Sequence, residues 1–272
     1  MPDLYAIVTQ IDQDIQERLA EVLELRAADP RHLEMLESYL ARVAFPPGAR
    51  VLEIGCGTGA VARLLAARPG IAEVVGVDPS PVFVRRAREL GAGAENLSFR
   101  EGDARSLELP DASFDAAVAH TCLCHVPGAE GALAELFRVL RPGGWLALFD
   151  GDYATTTVAT GEFDPLQSCA DAAMATLVHD RWFARRLPAL AAAAGFAVER
   201  FDGHAYVQAA EPKYLLTLVD RGADALLASA RIGDELCQAL KSEARRRADA
   251  GLFYGSITFA SLIAHKPDRP GG

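Results

Sequence analysis

The spacing of hydrophobic residues predicts two helices at the start of the chain. Apolar residues recur every three or four positions between Leu4 and Val43, which is the period of helices with one buried face. Asp29 and Pro30 interrupt this pattern, and they are typical of a helix N-cap and of the first helical position. We therefore expect residues 1–47 to form an N-terminal helical lid.

Short apolar segments then alternate with helical ones. Apolar strands of this length, separated by helices, pair in parallel and are buried on both faces. The pattern therefore predicts an α/β fold built on a doubly wound sheet. The first five predicted strands are residues 51–54, 74–77, 97–99, 114–119 and 145–149.

The last third of the chain departs from this alternation. A helix is predicted over 182–194, and residues 196–207 and 255–265 have the alternating aromatic and β-branched residues of strands. The stretch of about 211–251 between those strands is rich in Leu, Ala and Arg and is expected to be helical. We thus predict one domain over 48–272, with a helical insertion before its last strand.

Composition narrows the class of protein. The chain has 272 residues, 50% of them hydrophobic, which excludes disorder as its main state. Its formal net charge of −10 disfavours nucleic-acid partners, because an acidic surface repels phosphate. No signal-peptide pattern and no apolar run of about 20 residues is found, so we expect a cytoplasmic protein without a membrane partner. Five scattered cysteines argue against a disulfide framework.

A glycine-rich turn carries the first chemical signal. Residues 51–59, VLEIGCGTG, run from a strand through Gly-x-Gly-x-Gly into a helix, so the backbone can approach a ligand closely. The third glycine comes one residue earlier than in dinucleotide-binding turns. Asp78 ends the second strand, where a carboxylate can accept ribose hydroxyls, and Asp103 follows the third strand, where it can bind an exocyclic amine. Ribose and adenine without a phosphate cradle suggest S-adenosylmethionine.

With these motifs the chain resembles class I S-adenosylmethionine-dependent methyltransferases of the ubiquinone and menaquinone biosynthesis type. The resemblance covers residues 48–150. It implies a mostly parallel, seven-stranded, Rossmann-like sheet whose last strand is antiparallel, with S-adenosylmethionine as cofactor and S-adenosylhomocysteine as product. The motifs that carry it are residues 51–59 (VLEIGCGTG), 77–80 (VDPS), 101–104 (EGDA), 114–126 and 136–144 (LFRVLRPGG).

The same resemblance implies a set of cofactor-binding residues. The glycine loop would contact the methionine end, Asp78 the ribose and Asp103 the adenine. His120, after the fourth strand, would lie beside the methionine. The implied set is Glu53, Gly55, Cys56, Gly57, Asp78, Pro79, Asp103, Ala104 and His120.

Candidates for a general base and for acceptor contacts lie outside this set. The base candidates are His125, Asp150 and Asp152. His125 could instead pack against the next helix, and the two aspartates could equally form a solvated turn. Cys122 and Cys124 lie too close in sequence to His120 and His125 for a tetrahedral metal site, so we expect no metal. The predicted acceptor-binding residues are Tyr5, Tyr153, His179 and Trp182.

The leading hypothesis is methyl transfer from S-adenosylmethionine to oxygen, nitrogen or carbon of a small organic acceptor by a monomer or homodimer. Secondary metabolism and quinone-like biosynthesis are the expected settings. Two alternatives stay open. The acceptor could be RNA or protein, or the domain could bind the cofactor without methylating, as a structural partner or a cyclase.

Overall fold

A computed structural model describes residues 3–209 and 211–268, and these residues form a seven-stranded sheet. The predicted domain limits at residues 1 and 272 lie outside the described residues. The strands are β1 (Ala49–Ile54), β2 (Ile71–Asp78), β3 (Leu97–Glu101), β4 (Phe114–His120), β5 (Leu140–Thr157), β6 (Ala197–Gln208) and β7 (Gly255–His265).

The strand order is β3-β2-β1-β4-β5-β7-β6. All neighbours from β3 to β5 are parallel, whereas β7 is antiparallel to both β5 and β6. This confirms the predicted fold class. The order reverses between β1 and β4, and open α/β sheets bind ligands in the crevice beyond the carboxyl ends of strands at such a point.

Nine α-helices occur in the described part of the chain, and none of them is long and apolar enough to cross a membrane. They are α1 (Gln13–Ala27), α2 (Pro30–Leu40), α3 (Ala60–Ala66), α4 (Pro81–Leu90), α5 (Ala129–Val139), α6 (Leu166–Leu177), α7 (Leu187–Ala193), α8 (Lys213–Ala228) and α9 (Asp234–Asp249).

The first helix begins later than predicted. The apolar pattern starts at Leu4, but α1 begins at Gln13, and the residues before it form turns with a short 3-10 helix. The Asp3 carboxylate accepts the backbone N–H of Tyr5 at 2.9 Å, which favours a turn over a helix. The second boundary is confirmed, because the Asp29 carboxylate caps α2 and accepts the N–H of Arg31 at 2.9 Å.

The two N-terminal helices belong to different hydrophobic clusters. Leu36 and Tyr39 of α2 are part of the main core. Leu19 of α1 packs instead in a small separate cluster with Val82 and Phe83 of α4. Thus α2 is built into the main core, whereas α1 packs on α4 outside that core.

The last third also differs in detail from the expectation. The inserted segment is two helices, α8 and α9, instead of one continuous stretch, and the predicted helix over 182–194 is a 3-10 turn followed by α7. Helix α6 was not predicted. It packs on α8 so closely that a Cβ on Gly222 would lie 1.8 Å from the Cys169 carbonyl oxygen. Strand β5 extends well beyond 145–149, because its pairing with β7 reaches Thr157.

Candidate cofactor and acceptor site

A cavity of about 480 Å³ opens at the carboxyl ends of β1 and β4, under residues of α1 and α2. All nine residues of the implied cofactor-binding set line this cavity, which we call the main cavity. They come from the ends of β1, β2, β3 and β4, so the sheet brings together side chains that are far apart in sequence.

The glycine loop after β1 requires glycine for steric reasons. Gly55 has φ +59°, and a Cβ there would lie 2.1 Å from the Cys122 sulfur. Gly57 has φ +52°, and its Cβ would lie 2.9 Å from a methyl carbon of Leu23. Side chains at these positions would fill the loop. Their absence leaves a backbone cradle that a ligand can approach closely.

Asp78 links the glycine loop to the start of α4. Its Oδ2 accepts the N–H of Gly57 and its Oδ1 accepts the N–H of Ser80, both at 2.9 Å. Burial raises the pKa of this carboxyl group to about 6, although these backbone hydrogen bonds act in the opposite direction. A carboxylate has about four acceptor positions, so it can also accept the two hydroxyls of a ribose.

Glu53 is buried at the base of the main cavity, and its Oε2 has no hydrogen-bond partner among the described residues. Burial, together with the negative charge of the neighbouring Asp78, raises its pKa to about 8. An unpartnered buried carboxyl oxygen is costly unless a ligand supplies the partner. A cationic ammonium group is the partner that this site fits best.

At the opposite end of the main cavity, Asp103 lies at the surface. Arg105 donates to its carboxylate through the side chain and the backbone N–H, at 2.6 and 2.8 Å, and this lowers the pKa of Asp103. Arg105 also donates to the carbonyl of Pro127, which holds it against the neighbouring loop. The end near Asp103 and Ala104 therefore offers a carboxylate whose position is fixed.

His120 is held by the protein. Its Nδ1 is 2.9 Å from the Tyr39 hydroxyl, and its ring stacks on Phe149 with centroids 4.6 Å apart. Burial, together with the positive charge of Arg26, lowers its pKa to about 3, so the ring stays neutral. It shapes the wall of the main cavity beside the predicted methionine position.

The structure adds two residues to the main cavity that sequence reasoning missed. Arg26 of α1 donates to the hydroxyl of Thr121 at 2.6 Å. His32 of α2 is buried, and neither of its ring nitrogens has a partner within 3–209 and 211–268. One sequence signal could have indicated Arg26. It lies three residues after Leu23 and therefore on the apolar face of α1, which is predicted to face the protein.

A second, smaller cavity of about 30 Å³ adjoins the first and shares Tyr5, Leu23, Arg26 and His125 with it. We call it the head-group cavity. Its remaining lining residues are Val22, Tyr153, Met174, Leu177, Val178, Tyr214, Leu218 and Arg221. The structure therefore brings two of the predicted acceptor residues, Tyr5 and Tyr153, to the same place.

His125 lies where the two cavities meet. Its Nδ1 is 2.7 Å from Oδ2 of Asp3, whose side chain is only 2% exposed. The same oxygen accepts the backbone N–H of His179 at 2.8 Å, and the Tyr5 ring lies 4.8 Å from the His125 ring between centroids. A carboxylate on Nδ1 fixes the orientation of the imidazole and leaves Nε2 as its reactive nitrogen.

The structure does not bring the other base candidates to either cavity. Asp150 is buried, and its carboxylate accepts the N–H groups of Cys124 and Gly151 at 3.0 and 2.9 Å. It therefore anchors the turn that carries His125. Asp152 is paired with Arg185 at 2.7 Å. The expectation that these carboxylates face the acceptor is corrected, because backbone and arginine partners hold them elsewhere.

Two predicted acceptor residues are also placed elsewhere. Trp182 is 45% exposed, and the guanidinium of Arg185 lies 4.3 Å from its ring centroid. His179 contributes its backbone N–H to Asp3, but it lines neither cavity. Within the described part of the chain, no group of three or more His, Cys, Asp or Glu side chains could hold a metal ion.

Comparison with known proteins agrees with this geometry. The model of a methyltransferase domain family matches residues 52–148. The chain is 36% identical over 143 residues to a sterol 24-C-methyltransferase of Yarrowia lipolytica, covering 51% of this chain and 35% of that protein. It is 40% identical over 105 residues to 2-methyl-6-phytyl-1,4-hydroquinone methyltransferase of Synechocystis, covering 39% of this chain and 33% of that protein.

The chain spans about a third of the length of these two curated relatives. Among solved structures, the YcgJ protein of Bacillus subtilis superposes with a TM-score of 0.61 at 21% identity, covering 88% of this chain and 100% of that one. This last likeness shows the fold. Together with the motifs, these matches show a methyltransferase domain over residues 52–148 that is similar to class I, S-adenosylmethionine-dependent enzymes.

Proposed function

We propose that this protein transfers the methyl group of S-adenosylmethionine to a small organic acceptor bound beside His125. The observation that carries the proposal is the unpartnered Oε2 of Glu53 at the base of the main cavity, next to Asp78 and the glycine loop. This combination matches a ligand with an ammonium group at one end and a ribose further along.

The residues of the main cavity fit the cofactor from end to end. Glu53 would hold the ammonium group and Arg26 the carboxylate of the methionine portion, because each complements the charge of its partner. Asp78 would accept the ribose hydroxyls, and Asp103 with the backbone at Ala104 would hold the adenine. When bound, the cofactor supplies a methyl group on a positively charged sulfur that is already a good leaving group.

His125 would act on the acceptor. Asp3 holds the imidazole at the junction of the two cavities, so Nε2 can accept a proton from an oxygen or nitrogen nucleophile as it is methylated. Tyr5 and the residues before α2 cover the same junction and would exclude water. The protein thus contributes alignment, a dry site and one proton acceptor.

The relatives support the acceptor class that we propose. The two curated proteins described above are named for methylating a sterol and a phytyl hydroquinone, which are small molecules with large apolar parts. Apolar residues of the main cavity, among them Val8, Leu33 and Leu36, suit such a body. We therefore propose a small, partly apolar acceptor and leave oxygen, nitrogen and carbon open as the attacked atom.

The test is incubation with S-adenosylmethionine carrying a labelled methyl group and a fractionated lysate. We expect label in a small-molecule fraction, and at least tenfold less label with His125→Ala, since general base catalysis contributes about 10²–10⁴-fold. His179→Ala is the matched control, because that side chain lines neither cavity. Label in RNA or protein, or tight cofactor binding without any transfer, would contradict the proposal.

A further inference from the structure

The acceptor side of the site carries positive charge without a counter-charge. Arg26 and Arg221 line the head-group cavity, and neither forms an ion pair within the described residues. Their acidic neighbours are engaged elsewhere, because Glu24 pairs with Arg63 at 2.9 Å and Asp220 pairs with Arg245 at 2.7 Å. The net charge of the chain is −10, so this local excess of arginine runs against its overall charge.

No carboxylate among the described residues lines the head-group cavity, and Asp3, which contacts the lining residue His125, is already shared between that ring and the N–H of His179. Six of the residues that line this cavity are aliphatic or Met: Val22, Leu23, Met174, Leu177, Val178 and Leu218. An ionic contact is stronger in apolar surroundings than in water, because the effective dielectric constant is lower. A cation in such a wall favours an anionic ligand.

Three tyrosines add hydrogen-bond donors to the same cavity. Burial raises the pKa of Tyr5, although the positive charge of Arg221 acts against this shift, and burial raises the pKa of Tyr153 well above its usual range. These phenols therefore stay protonated and can donate to an anion. Tyr214 also lines the cavity, from the same helix as Arg221.

The size of the cavity limits what it can hold. About 30 Å³ is enough for two or three water-sized groups, by the measure in which one water needs at least about 10–15 Å³. A carboxylate or a similar small oxyanion fits this space, whereas the body of an acceptor does not. The body must then lie in the main cavity, beside Tyr5 and His125.

We propose that the methyl acceptor is an anion whose carboxylate or phosphate group is bound by Arg221 and the neighbouring tyrosine hydroxyls. This inference rests on the proposed function and specifies its substrate class. Arg26 lines both cavities, and its proposed partner is the carboxylate of the cofactor. Arg221 lines only the head-group cavity, so it is left to bind the acceptor. Tyr5 lies between His125 and Arg221, so the bound anion is separated from the proton acceptor by the Tyr5 ring. The anionic group therefore serves as a binding handle, which positions the acceptor, and is not itself methylated.

The experiment measures binding of three probes to the full chain saturated with S-adenosylhomocysteine. The probes are benzoate, its neutral analogue benzamide, and inorganic phosphate, each followed by calorimetry. We expect benzoate or phosphate to bind and benzamide to bind at least tenfold more weakly, and the stronger of the two anions identifies the kind of handle. Equal binding of benzoate and benzamide, or no binding of either anion, would overturn the inference.

Variants assign the effect to one side chain. Arg221→Met is expected to weaken anion binding at least tenfold, since hydrogen bonds to charged groups contribute about 1.5–3 kcal/mol, while leaving S-adenosylhomocysteine affinity within twofold. Arg221→Lys should retain part of the anion affinity. Arg231→Met is the control, because Arg231 is exposed and lines neither cavity. Anion binding that survives Arg221→Met would contradict the assignment.

The two proposals fail separately. If the unmodified protein does not bind S-adenosylhomocysteine, the proposed function and this inference both fall. If it binds S-adenosylhomocysteine but neither anion, only the inference falls. Retained S-adenosylhomocysteine affinity in Arg221→Met also shows that this variant is folded.

Discussion

Glu53 determines how the charge of the main cavity responds to pH. Burial raises the pKa of its carboxyl group to about 8, so at pH 7 the group is mostly protonated when no ligand is present. An ammonium group beside it stabilises the ionised form and lowers that pKa. Binding of the cofactor below pH 8 must therefore be accompanied by release of a proton.

We predict that S-adenosylmethionine binding at pH 7 releases close to one proton and that its affinity increases as the pH is raised from 6 toward 8. The largest slope is about tenfold per pH unit, because one proton is exchanged. Calorimetry in two buffers of different ionisation enthalpy measures the release. Glu53→Gln should abolish it, and identical heats in both buffers with the unmodified protein would contradict this role of Glu53.

Gly55 tests the steric requirement of the glycine loop. Its Cβ would meet the Cys122 sulfur at 2.1 Å, whereas Gly48 also has a positive φ, +76°, but would meet nothing within 4 Å. Gly48→Ala should cost about 1–2 kcal/mol of unfolding free energy from backbone strain alone. Gly55→Ala should cost about 1–3 kcal/mol more, because the packing must also shift. Urea unfolding measures both variants, and equal losses would show that contact with Cys122 is unimportant.

At the level of elements, the division between α1 and α2 has a dynamic consequence. Leu19 of α1 packs in the small cluster with α4, but Leu36 and Tyr39 of α2 pack in the main core. Segments with fewer buried contacts open locally at lower free energy. We therefore propose that residues 3–29 open as a lid while α2 stays in place.

We predict that backbone amides of α1 exchange with solvent hydrogen faster than those of α2 in the free protein. S-adenosylmethionine should slow exchange in α1, because Leu23 and Arg26 line the main cavity. Hydrogen exchange followed by mass spectrometry measures both segments in one sample, and α9, which lines neither cavity, is the internal control. Equal protection of α1 and α2, unchanged by the cofactor, would contradict the lid.

The elements that the sequence predicted well are those whose signal is local. Strands β1, β2 and β4 are short apolar runs bounded by turn residues, and their limits agree with the prediction within a few residues. Helix α6 has a weaker signal in its sequence. Its small residues allow close contact with Gly222 of α8, which lies far along the chain, so a local pattern does not reveal the helix. The start of α1 was misplaced because Leu4 and Tyr5 are partly buried against the cluster that includes Val82 and Phe83 of α4, without being helical.

The same distinction applies to the site. Glu53 and Asp78 lie at the ends of β1 and β2, Asp103 follows β3, and all three are recognisable from their motifs. The structure brings them together in the main cavity. Arg26 and Arg221 lie on helices that reach the site only through tertiary packing. Asp150 shows the reverse error: it lies at the expected end of a strand, but its side chain accepts backbone N–H groups.

In the whole molecule, the sheet and the helices around it together build two adjoining cavities. The sheet places the ends of four strands around the main cavity, the residues before α2 close it, and α6 and α8 add the head-group cavity. We propose that the main cavity binds S-adenosylmethionine through Asp78, and the acceptor must lie beside the cofactor bound there.

Calorimetric titration with S-adenosylmethionine tests this proposal most directly, with the unmodified protein, Asp78→Ala, and the exposed-site control Glu95→Ala. We predict one binding site, unchanged in Glu95→Ala and weakened about hundredfold or more in Asp78→Ala, because two charge-assisted hydrogen bonds to the ribose, each contributing about 1.5–3 kcal/mol, are lost. Thermal unfolding of each variant confirms that it is folded. Unchanged affinity in a folded Asp78→Ala protein, or no binding by the unmodified protein, would contradict the account.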